Sequence, residues 1–145
     1  MEMKNTTSCF LAAPTQRVTR EQISESRLRL EQEFLQLIHA ETPLLWKGSV
    51  TDLMELVYLV YVNGNFRDAD GYPLSMAELT RRACTALCMP VPDNPYALAA
   101  RAMNRKGLKR QPLLDRYAWL YCVAGVEHPL ERIIKHVGTA ERREA

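Results

Sequence analysis

No apolar run in this sequence is long enough to cross a bilayer, which takes about 20 residues. The longest, Leu53 to Val62, is interrupted by Glu55. Near the start, Cys9 to Ala13 is too short for a signal-peptide core, and Glu2 sits where such a signal carries basic charge. The sequence predicts a cytoplasmic protein with no membrane partner. Cysteine is sparse. With four in all, and in that compartment, the thiols are expected to be reduced. Cys84 and Cys88 form one loose pair, Cys9 and Cys122 stand alone, and His39, His128 and His136 are scattered. A zinc site needs converging close pairs. Small buried hydrophobes explain Cys84 and Cys88 better, and no metal or other cofactor is expected.

Catalytic signatures are missing too. There is no Gly-rich phosphate loop, no HExxH and no serine in a nucleophile elbow. Asp68 and Asp70 are two apart beside Gly71, but no glutamate completes a calcium loop, so a solvated turn is the better reading. His39 near a helix C-terminus is favoured for charge alone. The expectation is a non-enzyme with no small-molecule substrate. Net charge is only +2, so bulk charge selects no partner.

What is present is a core. Hydrophobic residues make up 47% of the 145, which argues against disorder and suits one compact domain with an added terminal segment. Periodicity and capping residues predict an all-α fold with helices near 19–39, 50–63, 75–88, 95–106, 113–123 and 129–137. Thr19 with Gln22 and Ser75 with Glu78 have capping-box spacing. Ser49 caps the second helix, where Asp52 favours the positive end of the dipole. Asn94 caps the fourth, with Pro95 at its first position.

The first helix turns Ile23, Leu30, Phe34, Leu37 and Ile38 to one face and Arg27, Arg29, Glu31 and Glu33 to the other. Leu53, Leu56, Val57 and Val60 give the second its buried stripe, and Gly64 its stop. Met76, Leu79, Ala83, Ala86 and Leu87 face inward from the third. Tyr96, Ala99, Ala102 and Met103 do so from the fourth, and Leu130, Ile133, Ile134 and Val137 from the sixth. A short strand fits near Asn65. The chain divides into a tail over 1–18, an N-terminal helix over 19–41, a central domain over 42–124, and a C-terminal helix and tail over 125–145.

The most informative local feature is basic. Arg101, Arg105, Lys106, Lys109 and Arg110 fall within ten residues, with no acid between Asn94 and Leu114. Arg101, Asn104 and Arg105 have i, i+3, i+4 spacing, which places them on one helix face. Helix three, a Pro-rich turn and this basic helix resemble a helix-turn-helix. Arginine can fork onto guanine and asparagine onto adenine, while Lys106, Lys109 and Arg110 suit phosphates. The plainer reading is a helix end attracting cations through its dipole.

Residues 46 to about 115 resemble the C-terminal domain of the RteC family, regulators carried by tetracycline-linked conjugative transposons. Trp46, Gly48, Ser49, Thr51, Leu53, Glu55, Leu56 and Tyr58 match its W-x-G-S-x-T-x-L-x-E-L-x-Y. A second match places Tyr96, Asn104, Arg105 and Lys106 on the family's basic helix. A third sets Leu113-Leu114-Asp115 on its F-L-D. The resemblance implies a winged-helix-like core that binds double-stranded DNA and regulates transcription in a mobile element, with Arg105 and Lys106 as transferable contacts. Ala97 and Met103 stand where the family often has arginine, which points to help from a homodimer or a partner regulator. The alternative is a protein-interaction module that kept the fold without DNA binding, using Tyr58, Tyr61, Trp119 and Tyr121 as an aromatic surface.

Overall fold

The computed structural model describes residues 18–105 and 111–136. Five α-helices and one small antiparallel sheet make up these residues, 61% of which are helical. In chain order they are α1 (Arg20–Ile38), β1 (Leu44–Trp46), α2 (Val50–Asn63), α3 (Met76–Ala86), α4 (Pro95–Met103) and α5 (Leu113–Ala118). A π-helical turn (Trp119–Val123), a 3-10 turn (Pro129–Ile133) and β2 (Ile134–His136) follow. No helix among the described residues is long and apolar enough to cross a membrane.

The helix starts follow the side chains at their caps. At α1 the Thr19 hydroxyl accepts from the Gln22 N–H at 3.1 Å, and the Gln22 amide oxygen accepts from the Thr19 N–H at 2.9 Å. Ser49, Ser75 and Asn94 each accept from the backbone N–H three residues on, opening α2, α3 and α4. The Ser75 box is half made, because Glu78 turns its carboxylate to Arg81 and Arg82 instead. Gly64 ends α2 at φ 70°, where a Cβ would be disfavoured. After α3, Cys88 adopts φ 57°, and the Met89 N–H reaches back to the Cys84 oxygen at 2.9 Å. This is the geometry of a glycine-type helix stop carried by a residue with a side chain. It corrects the expectation that both thiols are buried: Cys84 is, but Cys88 is exposed.

α2 is the central element. Leu53, Met54, Leu56 and Val57 are fully buried, and Leu59 and Val60 nearly so. The helix is therefore covered on more sides than its predicted stripe implies. α4 lies along it through Ala99 and Ala102, whose small side chains let the two backbones approach closely. α1 closes the other side with Leu30, Phe34 and Leu37 and packs on α5. Glu31 and Glu33, expected on its solvent face, are buried. The Glu33 carboxylate accepts the Tyr117 hydroxyl at 2.5 Å. Burial pushes the Glu33 carboxyl above its ordinary 4.5, although the Tyr117 bond pulls the other way.

The expected sixth helix is not one. Pro129–Ile133 makes one 3-10 turn, and Ile134–His136 is a strand paired antiparallel to β1, with Trp46 opposite Ile134 and Leu44 opposite His136. Two adjacent β-branched residues and a free backbone edge at Leu44–Trp46 decide the matter. Leu130 and Ile134 still enter the common core. Val137, assigned to the same stripe, lies outside the described residues. The strand near Asn65 reduces to a single bridge between Arg67 and Pro73. Asp68 Oδ1 accepts from the N–H groups of Asp70 and Tyr72, so this acid builds the turn.

Candidate nucleic-acid interface

α4 is a short helix of nine residues. Asn94 and Pro95 start it, Ala99 and Ala102 seat it on α2, and it ends at Met103, three residues before the expected 106. Tyr96 and Met103, predicted to face inward, are instead 50% and 36% exposed. Arg101 is exposed in the last turn, with no ion-pair partner among the described residues. Asn104, the C-cap, is exposed beside it.

Arg105 departs from that pair. It lies past the helix end, and its guanidinium turns inward to Asp52 Oδ1 at 2.6 Å. Arg116 from α5 donates to the same oxygen at 2.8 Å. Asp52 is 3% exposed, so the ion cluster is shielded from water on the acid's side. One turn along α2, the buried Glu55 carboxylate accepts the backbone N–H groups of Leu113 and Leu114, at 2.7 and 3.1 Å. These are donors that the first turn of α5 leaves without intrahelical partners. Burial raises the Glu55 carboxyl above its ordinary 4.5, and the two backbone bonds oppose that rise. Lys106, Lys109 and Arg110 lie outside the described residues.

Asp52 and Glu55 thus fix Arg105 at one end and Leu113, Leu114 and Arg116 at the other. From the sequence, Asp52 has only a dipole role and Glu55 is a break in an apolar run. The available signal was two acids at i, i+3 on a helix that is otherwise apolar; such groups are buried only when paired. The structure also gives the residues of the first and third motifs a part in the fold. Trp46 Nε1 donates to the Ser49 carbonyl at 2.8 Å, and Ser49 caps α2. A Cβ on Gly48 would fall 2.9 Å from Ile133 Cγ2 and 3.1 Å from the Trp46 indole nitrogen. Glu55 of the first motif holds Leu113 and Leu114 of the third.

Eight residues, Leu87 to Asn94, separate α3 from α4, against the three or four of a standard helix-turn-helix. α4 rests mainly on α2 rather than on α3. Nearby, the rings of Tyr58, Tyr61 and Tyr96 form a triangle with all three centroid distances 6.2 Å. Trp119 and Tyr121, on the π-helical turn after α5, are each half-buried. No three His, Cys, Asp or Glu side chains converge as metal ligands among the described residues. No family model, no curated protein and no solved structure matches the chain.

Proposed function

We propose that this protein binds double-stranded DNA through the C-terminal end of α4 and acts as a transcriptional regulator of the RteC kind, associated with a mobile element. The observation that carries the reading is the pairing of Arg101 with Asn104. Both are exposed at the end of a helix whose opposite face is seated on the core, and the sequence runs straight on into Lys106, Lys109 and Arg110. Arginine and asparagine are the side chains best suited to guanine and adenine edges, and a packed helix holds them in place. In this reading α4 serves as the reading helix of a helix-turn-helix with a lengthened turn. Arg105 anchors its end through Asp52, and the three following cations meet phosphates.

The test is a titration of fluorescent duplex DNA at several salt concentrations, with random sequence and with fragments selected from the host genome. The expected result is binding that weakens linearly in log salt, with a preference among the selected fragments. Absence of binding at low salt by folded protein contradicts the reading.

One observation favours a second reading. Tyr96 of α4 is 50% exposed and packs against the half-buried Tyr58 and Tyr61 of α2, and tyrosine is enriched in protein interfaces. An interaction module would lose its partner on Tyr96→Ala and be indifferent to Arg101→Ala.

A further inference from the structure

A cavity of about 270 Å³ lies between α1, the Phe66–Leu74 turn and α3, away from the basic end of α4. Its walls are apolar at Leu35, Phe66 and Leu74. Its polar groups are of both signs. Glu31 is 8% exposed; its Oε1 accepts from the Asn65 side chain at 3.0 Å, and its Oε2 is buried with no partner. Arg67 and Arg82 also line the cavity. Arg67 spends one N–H on the Gly71 carbonyl and Arg82 spends Nε on Glu78, so each guanidinium keeps further donors.

A carboxylate oxygen buried without a partner is costly, because it has given up water and gained nothing. It calls for a donor, best a cationic one. The carboxylate's last torsion is broad, so one oxygen can turn to the cavity while the other keeps Asn65. Two guanidiniums on the same cavity call for an anion. The apolar walls call for a hydrocarbon body, and the volume falls just below the roughly 300–1,000 Å³ of pockets for drug-sized molecules. We propose that this cavity binds a small zwitterion with an apolar side chain, of which the aliphatic and aromatic amino acids are the simplest class. The ammonium pairs with Glu31, the carboxylate meets Arg67 and Arg82, and the side chain lies against Leu35, Phe66 and Leu74. The site stands independently of whether α4 binds DNA.

The experiment is calorimetric titration of the full chain with L-leucine and L-phenylalanine, beside isoamylamine and isocaproate, which each keep one half of the leucine headgroup. Binding of at least one amino acid at millimolar concentration is expected, with isoamylamine and isocaproate each roughly 10- to 100-fold weaker than leucine. Glu31→Gln keeps an acceptor for Asn65 but removes the charge, and should weaken amino-acid binding by a similar factor. Arg67→Gln should do so independently, and serves if the first variant misfolds. Glu127→Gln, on an exposed residue outside the cavity, should bind as the parent does. Failure of both amino acids to bind overturns the proposal. So does isocaproate or isoamylamine binding as tightly as leucine, or Glu31→Gln and Arg67→Gln binding undiminished.

Discussion

α2 and α4 lie against each other and spend their charges in opposite ways. α2 carries two acids, and both are buried: Asp52 takes Arg105 and Arg116, and Glu55 takes two backbone N–H groups of α5. α4 leaves Arg101 and Asn104 in water. Charge on a central helix is therefore structural here, and charge on the peripheral one is free for a partner. The difference also separates the motifs. The tryptophan-to-tyrosine stretch from Trp46 to Tyr58 holds the fold together, whereas the residues proposed to read DNA lie after Asn94.

If that division holds, damage to α2 should be the most severe. Leu56→Ala empties a fully buried site and should cost roughly 2–5 kcal/mol. Glu55→Ala should cost about as much, since it strands two buried donors at once. Glu55→Gln, which keeps one acceptor, should recover part of the loss. Chemical denaturation of the three variants measures this, and an unmoved midpoint in both alanine variants would refute the core assignment. Next comes the ion cluster. Asp52→Asn should cost roughly 1–3 kcal/mol, below the loss for a fully buried pair because both arginines keep some water.

The α1–α5 contact gives a pH test. Burial holds the Glu33 carboxyl above its ordinary value, so the folded protein binds this proton more tightly than the unfolded chain does. Its contribution is then fully present below about 4.5 and is lost as pH rises through the folded value. Glu33→Gln, which cannot titrate, should flatten stability against pH over that range. A slope identical to the parent's means that Glu33 is not the group responsible. The smallest effect should be a gain. Cys88→Gly removes the Cβ from a left-handed position and should stabilise by up to about 1 kcal/mol. A lower melting temperature in that variant would mean that the Cys88 side chain makes a contact worth more than the strain.

How much of this was legible depended on how local each signal was. The bounds of α2 follow from Ser49 and Gly64, which act on their own neighbours, and those of α3 nearly so. β2 was hidden because its partner lies about ninety residues earlier, and Pro129 with an apolar run looks the same before a helix as before a strand. The burial of Glu31 and Glu33 was hidden for the same reason: Asn65 and Tyr117, which receive them, come from other parts of the chain. Within the candidate site, the exposure of Arg101 and Asn104 follows from helical spacing. The destination of Arg105 does not, because the helix ends before reaching it and Asp52 lies on another helix, 53 residues earlier.

Arg101 is exposed and is proposed to serve DNA, whereas Arg105 is spent on Asp52 within the fold. Arg101→Ala and Arg105→Ala should be compared for melting temperature and for duplex binding across salt concentrations, in the same preparations. Arg101→Ala should leave stability within about 0.5 kcal/mol, and reduce preference for the selected fragments by about 1–3 kcal/mol. Arg105→Ala should lower the melting temperature and weaken binding to random and selected duplexes alike. Equal DNA affinity in the parent and Arg101→Ala, or a stability loss confined to Arg101→Ala, would contradict the account.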